Sequence, residues 1–377
     1  MKYICSKNVF INGNFVPASI GIENNKIAEI SDYGKGECHF DNYIIPGLID
    51  IHTHGGYGCD TNNADLDNML NWIKHLPSEG TTSLLISPYT STIEKMQNSV
   101  DLIDSLRKQN LEASVLGCHL EGPFISNKHL GAMNEKYILK PNINTYKEIA
   151  QDHEECIKLI TLACELEKAY DLMDYLTAHH TVVSAGHSGC TYEAGLEAKK
   201  HGLKGFTHTY NGMLGLHHRE VGTVGCSLLF DDCYSECICD GYHVSFEALK
   251  ILFRCKPKDK VILVTDSLKT KGLPEGNYEL DGEAIEMRHG CAYMAGTDSL
   301  SGSTLSMLQA MRNVVKYSEI FLEDAVLAGS QNPATYLGVH NKKGIIQIGN
   351  DADLCILDHS LNLNKTIHLG QVVYTAS

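Results

Sequence analysis

The residues that could carry chemistry in this chain follow apolar segments, at the point where each segment ends. They combine imidazole and carboxylate groups, which are the ligands of catalytic zinc and related metals. Three such ligands leave a position open for water, and further ligands could hold a second metal. The pattern predicts hydrolysis assisted by one or two divalent metals. The residues are His52, His54, Glu121, His187, His208 and Asp266.

The first two apolar segments supply histidines and a carboxylate. His52 and His54 would point to the same side of a strand, because side chains two residues apart share a face. Glu121 needs a cationic partner, since a buried carboxylate is costly without one, and residues 116–124 contain no Lys or Arg. His119 shares the face of Glu121, and we expect it to be a hydrogen-bonding group near the metal instead of a direct ligand.

The later segments would complete the site. His187 and His208 end apolar runs on successive predicted strands, so their side chains should be neighbours. Asp266 ends the last of these runs, where a carboxylate can accept a proton from water and return it to a leaving amine. A role for Asp266 as a metal ligand is compatible with that one.

Short β-rich segments alternate with longer helical patterns from residue 44 onward, which is typical of βαβ units and a parallel sheet. Eight repeats in order predict a TIM-type (β/α)8 barrel, in which active sites lie at the C-terminal ends of the strands. The predicted strands are 43–51, 81–87, 113–121, 158–164, 181–187, 205–209, 236–240 and 260–266. The predicted helices include 64–78, 91–108, 168–178, 192–200 and 245–253.

The two ends of the chain differ from this pattern. They contain short alternating segments with turn signals and no long helix. Neither end could bury a core alone. We therefore expect a small β-sandwich domain built jointly from residues 1–43 and 344–377, beside a barrel of residues 44–343.

Charge and hydropathy argue against several classes of partner. The chain has 31 Lys and Arg against 46 Asp and Glu, a formal net charge of -15, which disfavours nucleic acid and anionic membranes. We find neither a signal peptide pattern nor an apolar run long enough to span a bilayer, and we expect a cytoplasmic protein.

The 14 cysteines are scattered, without the regular spacing of a disulfide framework, so we expect no structural disulfides. The tightest group is Cys233, Cys237 and Cys239. A metal site is conceivable there, but its spacing is not that of a zinc knuckle. Packed core thiols are the favoured interpretation.

Several motifs together resemble the signature set of the amidohydrolase superfamily, and within it most closely the N-acetylglucosamine-6-phosphate deacetylase family. The combination is specific, although no single motif would be, and it runs almost from end to end. The principal segments are 46–55, 119–124, 186–188, 207–213 and 264–266. Further matching segments are 216–220, 240–244, 295–296, 300–305 and 332–334.

The resemblance implies roles for individual residues. It implies one metal at Glu121, His187 and His208, a second at His52 and His54, and Asp266 as general base and acid. It implies zinc or iron first, with cobalt and manganese also compatible with these ligands. It implies a homodimer in which Arg219 reaches the phosphate in the neighbouring subunit's site. The implied substrate contacts are Ala132, Met133, Asn211, Gly212, Arg219 and His243.

One departure from the family pattern concerns the sugar. Met133 occupies the place of a His that the family uses to contact it, and a thioether cannot donate a hydrogen bond. His129 could compensate. The predicted reaction is removal of the acetyl group from N-acetylglucosamine 6-phosphate, giving glucosamine 6-phosphate and acetate.

Three alternatives stay open at this point. The first is a deacetylase for another N-acetylhexosamine phosphate, and the second is a non-catalytic barrel that only binds a ligand. The third, a cyclic amidase, is disfavoured because such enzymes carry a carboxylated Lys at the end of the fourth strand. Lys158 begins that strand here.

Overall fold

The structure is a computed structural model that describes residues 1–280 and 282–376. The strands are β1 (Lys2–Ile11), β2 (Asn14–Glu23), β3 (Lys26–Ser31), β4 (Glu37–Cys38), β5 (Tyr43–Pro46), β6 (Leu48–Asp50), β7 (Gly55–Gly56), β8 (Cys59–Asp60), β9 (Thr81–Ile86), β10 (Ser114–Glu121), β11 (Ile157–Leu162), β12 (Val182–Ala185), β13 (Leu203–Phe206), β14 (Tyr234–Ile238), β15 (Val261–Val264), β16 (Gly276–Leu280), β17 (Glu283–Arg288), β18 (Cys291–Met294), β19 (Leu354–Leu357), β20 (Leu363–His368) and β21 (Gln371–Thr375). The helices are α1 (Leu66–His75), α2 (Ile93–Leu106), α3 (Ile143–Ala150), α4 (Ala169–Ala178), α5 (Tyr192–Lys200), α6 (Gly222–Leu229), α7 (Phe246–Cys255), α8 (Met307–Tyr317), α9 (Leu322–Gly329) and α10 (Gln331–Tyr336).

Eight strands form one parallel sheet in the order β6, β9, β10, β11, β12, β13, β14, β15, so neighbours along the chain are neighbours in space. Each overlaps a predicted strand, although β6 covers only part of the predicted strand 43–51, and the five predicted helices are present. Hydrogen bonds also join the ends of β6 and β15. The Asp266 amide donates to the His52 carbonyl at 2.8 Å, and the Thr265 hydroxyl donates to Asp50 Oδ2 at 2.6 Å.

Capping side chains set the starts of several helices that follow these strands. Thr92, Thr191 and Ser245 each accept a hydrogen bond from a backbone amide of the first turn of α2, α5 and α7. The apolar faces of the helices pack against the sheet, and Trp72 of α1 is fully buried. The helices therefore cover one face of the sheet.

The single predicted strand 43–51 is wrong, because the chain changes sheets at Gly47. β5 pairs with β1 and β19, whereas β6 pairs with β9. Gly47 lies directly against Thr82: a Cβ at this glycine would be 2.1 Å from the Thr82 Oγ1 atom. An apolar run is continuous across such a turn, so the sequence pattern does not show it.

Both ends of the chain contribute to a second sheet, in the order β21, β20, β19, β5, β1, β2, β3, with β4 beside β1. The β structure predicted at the two ends is thus present, and it forms one sheet. Its core contains Ile20, Ile44 and Ile356. The domain boundaries at residues 43 and 344 stay a prediction.

The expectation of no disulfide is wrong, since Cys5 and Cys38 are bonded. The parallel pairing of β1 with β4 places these two residues opposite each other, with their Cα atoms 4.7 Å apart. The prediction failed because this pairing brings together cysteines that are 33 residues apart in the chain. The other twelve cysteines are free, and the packed core thiols predicted at Cys233, Cys237 and Cys239 are confirmed, because all three are buried.

A three-stranded antiparallel sheet, β16 to β18, follows the last strand of the parallel sheet and was not predicted. It has a small core of its own around Leu268, Ile285 and Ala292. Within the described residues, no helix has both the length and the apolar composition that crossing a membrane requires.

Candidate active site

All six predicted chemistry-bearing residues meet at one end of the parallel sheet. His52 and His54 follow β6, Glu121 ends β10, and the other three lie two residues beyond β12, β13 and β15. Those three, His187, His208 and Asp266, have φ values of 47°, 34° and 49°. Left-handed backbone is uncommon for residues other than glycine, and it concentrates at functional sites. Here it turns each side chain inward directly after its strand.

Glu121 lies at the centre of the histidines. Its Oε1 atom is 3.2 Å from His187 Nε2, 3.0 Å from His208 Nε2 and 3.5 Å from His52 Nε2. Its Oε2 atom is 3.3 Å from His54 Nε2. One carboxylate therefore contacts four imidazoles, all of them buried.

Two groups of ligand atoms share this centre. Glu121, His187 and His208 form one group, in which the ligand atoms lie within 4.8 Å of one another. His52, His54 and Asp266 form the other under the same limit, and Asp266 Oδ1 is 2.9 Å from His54 Nε2. The two groups are adjacent, because His52 and His54, which lie beside Asp266, also contact Glu121 of the first group.

The Nδ1 atoms of His54 and His187 are held by backbone carbonyls, whereas His208 Nδ1 is buried without a hydrogen-bond partner among the described residues. His54 Nδ1 donates to the Ser87 carbonyl at 2.7 Å, and His187 Nδ1 donates to the His129 carbonyl at 2.7 Å. A partner on Nδ1 fixes the ring and directs Nε2 toward the centre, which is the usual arrangement around bound metals.

His119 lies below the site with both ring nitrogens engaged. Nδ1 is 2.9 Å from the Ile51 carbonyl and Nε2 is 2.8 Å from Thr161 Oγ1. Burial, reinforced by the neighbouring His52, holds the pKa of His119 well below its usual value. His119 is accordingly neutral, and the structure places it as a hydrogen-bonding group beneath the ligands.

The electrostatics of the centre favour carboxylate anions facing cations. Burial raises the pKa of Glu121, but His52, His187 and His208 outweigh it and hold that pKa well below the usual range. Burial likewise raises the pKa of Asp266, yet His54 and His52 bring it to about 2. Burial lowers the pKa of His54, but Asp266 and Glu121 raise it to about 9. A divalent cation would supply the positive charge that protons supply here.

The residues fit a metal. His52 Nε2 is buried and has no hydrogen-bond partner, although it points at Glu121 and Asp266. An unpartnered buried nitrogen is costly, and coordination would satisfy it. The donor set of imidazole nitrogens and carboxylate oxygens suits zinc, iron, cobalt or manganese.

A cavity of about 280 Å³ opens onto these ligands. Five of the residues implied as substrate contacts line it, namely Ala132, Met133, Asn211, Gly212 and His243. His243 is oriented by Asp240, whose Oδ2 atom is 2.6 Å from His243 Nδ1. Gly212 has a φ of 56°, and a Cβ there would be 2.8 Å from His187 Nδ1, so a side chain would disturb a ligand.

Arg219 is the one implied contact outside this group. It lies in an exposed loop, where Nη1 is 2.7 Å from His218 Nε2, and it does not line the cavity of its own chain among the described residues.

Comparison with known proteins agrees with this geometry. The model of the amidohydrolase family matches residues 43–374. The chain belongs to the amidohydrolase family. The superfamily membership predicted from the motifs is therefore confirmed.

Individual relatives of this amidohydrolase cover nearly its whole length. It is 33% identical to an N-acetylglucosamine-6-phosphate deacetylase of Bacillus subtilis, over 98% of this chain and 95% of the relative. It is 32% identical to an N-acetylgalactosamine-6-phosphate deacetylase of Escherichia coli O157:H7, over 87% of each chain. A mutant of the N-acetyl-D-glucosamine-6-phosphate deacetylase of Mycobacterium smegmatis, solved with N-acetyl-D-glucosamine-6-phosphate, superposes with a TM-score of 0.93. That structure shares 26% identity with this chain, over 99% of both chains.

Some residues of this amidohydrolase site were missed by the sequence reasoning. Tyr89 packs against His54 with ring centroids 5.4 Å apart, and it lines the cavity. Leu280 and Leu300, from β16 and from the segment after β18, add an apolar wall. Glu236 on β14 approaches His52 Nδ1 at 3.1 Å. Only Glu236 left a signal in the sequence, as an acidic residue inside an apolar strand.

Proposed function

We propose that this amidohydrolase removes the acetyl group from N-acetylglucosamine 6-phosphate, giving glucosamine 6-phosphate and acetate. The observation that carries the proposal is Asp266, whose carboxylate lies 2.9 Å from His54 and faces the cavity beside two groups of metal ligands. The similarity to deacetylases over nearly the full length supports the substrate.

The chain's own residues divide the reaction among them. Glu121, His187 and His208 would hold one metal, and His52 and His54 a second, with zinc or iron expected first. A divalent metal, when bound, polarises an amide carbonyl and makes water more acidic.

Asp266 accepts a proton from the attacking water as the new C–O bond forms. It then passes that proton to the nitrogen, and the C–N bond breaks. Asn211 and the Gly212 amide bind the sugar phosphate, and His243, fixed by Asp240, donates to the substrate. The products are a free amine and acetate.

We infer further that the eight parallel strands close into a (β/α)8 barrel. The hydrogen bonds from Asp266 to His52 and from Thr265 to Asp50 support closure between the first and last strands. We also retain the predicted division into a barrel of residues 44–343 and a terminal domain, although β5 at the first boundary pairs with strands of the terminal domain. The cytoplasmic location stays a prediction.

The test of the function is acetate release from a panel of substrates, with metal analysis of the same sample. The panel contains N-acetylglucosamine 6-phosphate, N-acetylgalactosamine 6-phosphate and both unphosphorylated sugars. Hydrolysis of a cyclic amide, which releases no acetate, is followed separately by ring opening. Release from the phosphorylated glucosamine derivative supports the proposal. Turnover of the cyclic amide alone would contradict it.

N-acetylgalactosamine 6-phosphate is a second candidate substrate. Two observations favour it, namely the similarity to a deacetylase named for that sugar and Met133 in the cavity wall. A higher kcat/KM for this epimer in the panel would replace the first candidate.

Replacing Met133 by His is expected to lower KM for N-acetylglucosamine 6-phosphate. An imidazole at this position of the wall can donate a hydrogen bond to a sugar hydroxyl, which the thioether cannot. Steady-state kinetics measure the change, with Met133→Leu as an apolar control that should keep the original KM and metal content. An unchanged KM in Met133→His would mean that His129 already serves the sugar or that the preferred sugar differs.

We propose that the protein acts as a homodimer, in which Arg219 binds the substrate phosphate in the partner's site. The support is the exposed position of Arg219 outside its own cavity, together with a net charge of -15 that makes local donors necessary for a dianionic substrate.

Arg219→Ala is expected to lower kcat/KM for the phosphorylated substrate about ten- to a hundredfold, since charge-assisted hydrogen bonds contribute roughly 1.5 to 3 kcal/mol. The unphosphorylated sugar should be almost unaffected, and so should an Arg254→Ala control at another exposed arginine. Mixing Arg219→Ala with Asp266→Asn subunits should restore activity above either parent, because one site per heterodimer is intact. No restoration, together with a monomeric mass in solution, would contradict the shared site.

A further inference from the structure

Glu236 is a buried carboxylate on β14 that the reaction described above does not use. Its side chain is 1% exposed, and Oε2 lies 3.1 Å from Nδ1 of His52, which is fully buried. The His208 amide is 3.4 Å from the same oxygen. Glu236 therefore faces a metal ligand from behind, on the side away from the cavity.

The other carboxylate oxygen has no counterpart. In the described part of the chain, Glu236 Oε1 is buried without a hydrogen-bond partner, as is the nearby Tyr336 hydroxyl. Burying a carboxylate is expensive unless it is paired and hydrogen-bonded. The imidazole of His52 is thus its principal counter-group, and a purely structural role would be a costly use of this side chain.

The contact determines which nitrogen of His52 carries the proton. A carboxylate only accepts hydrogen bonds, so it holds a proton on Nδ1. Nε2, which faces Glu121 and Asp266, is then the nitrogen of His52 that can bind a metal. His54 and His187 have neutral backbone carbonyls in the corresponding place. A carboxylate partner makes an imidazole a stronger donor to a metal than a carbonyl does.

We propose that Glu236 is a positioning residue that selectively strengthens metal binding at the position formed by His52 and His54. The inference rests on the proposed function insofar as that function places a metal there. It assigns Glu236 no contact with substrate, and it predicts a different dependence on Glu236 for the two metal positions.

A separate metal at His52, His119 and Glu236 is the competing interpretation, because their ligand atoms also lie within 4.8 Å of one another. His119 argues against it, since its two nitrogens already contact the Ile51 carbonyl and Thr161 Oγ1. In addition, the two ring nitrogens of His52 face different groups: Nε2 faces Glu121 and Asp266, and only Nδ1 faces Glu236. A direct hydrogen bond from His52 Nδ1 to Glu236, with no metal between them, leaves the hydrogen bonds of His119 intact.

The test is zinc retention by the purified full chain in competition with a chelator, with acetate release measured on the same samples. Glu236→Gln keeps an acceptor for Nδ1 but removes the charge. We expect one zinc equivalent to bind about 10- to 100-fold more weakly and the other to be unchanged. His52→Asn should weaken the same equivalent, and Glu236→Gln should then add little to it.

Two further variants keep the result interpretable. Glu79→Gln removes another buried carboxylate, which contacts Lys271 and Tyr57 and no histidine of the site, so it controls for general destabilisation. It should leave both zinc equivalents in place. Glu236→Asp keeps the charge but places it one methylene farther from His52. Its affinity for the weakened zinc equivalent should lie between those of the original protein and Glu236→Gln. This variant also tests the inference if Glu236→Gln folds poorly.

Retention of both equivalents with unchanged affinity in Glu236→Gln would overturn the inference, as would equal losses in Glu79→Gln. Weakening of both equivalents, or a larger effect of Glu236→Asp than of Glu236→Gln, would also overturn it. The proposed function fails separately, if the original protein binds zinc but releases no acetate from the sugar panel. Selective zinc loss in that case would still support the role of Glu236.

Discussion

Asp266→Asn is expected to lower kcat by about 10²- to 10⁴-fold, or roughly 2.7 to 5.5 kcal/mol of activation barrier, while the metal stays bound. The amide cannot take the proton that the carboxylate takes. Asn is the suitable replacement because Asp266 has a φ of 49°, and Asn tolerates left-handed backbone better than most residues. The measurement is kcat for N-acetylglucosamine 6-phosphate, with metal content determined on the same preparation.

The metal content separates the two roles that Asp266 could have. A large loss of kcat at full metal content supports proton transfer. Loss of a metal together with activity would show that Asp266 acts mainly as a ligand, in keeping with its distance of 2.9 Å from His54 Nε2. An activity close to that of the original protein would contradict both roles.

Removal of metal by a strong chelator is expected to abolish activity, and added divalent metal should restore it. The reason is that Glu121 lies among four imidazoles whose Nε2 atoms all face it. These groups contact one another, and we expect them to act on the substrate through a bound cation. Acetate release before and after dialysis against the chelator measures the effect. Full activity in metal-free protein would contradict the mechanism.

The metal content per chain shows whether one or both of the ligand groups bind a metal. If both are filled, metal content should approach two per chain, and the double variant His52→Asn/His54→Asn should lower it by one. Glu121, His187 and His208 remain intact in that variant and should retain their metal. Loss of all metal would show that the two positions are not independent.

The ligands could be predicted from the sequence because each is a polar residue at the end of an apolar strand. In a parallel sheet those ends lie at one edge, so His187 and His208 had to be neighbours, and their Nε2 atoms are 3.1 Å apart. The alternation of strands and helices predicted the order of the sheet for the same reason. These inferences need only local sequence patterns and the rule that the carboxyl ends of parallel strands lie at the same edge of a sheet.

Other features depend on contacts between distant parts of the chain, which a local pattern does not contain. The change of sheet at Gly47 requires knowledge of Thr82, and the bond from Cys5 to Cys38 requires the pairing of β1 with β4. The role of Glu236 was missed for a similar reason. Its partner His52 lies 184 residues away in the chain.

The change of sheet at Gly47 has a consequence for the order in which the protein can be completed during synthesis. β5 continues directly through Gly47 into β6 and His52, yet Ile44 of β5 pairs with Ile356 of β19. A ribosome makes β19 only after every residue of the site has emerged. The edge of β5 that pairs with β19 therefore stays unpaired until β19 has been made, and an unpaired strand edge is prone to pair with other chains.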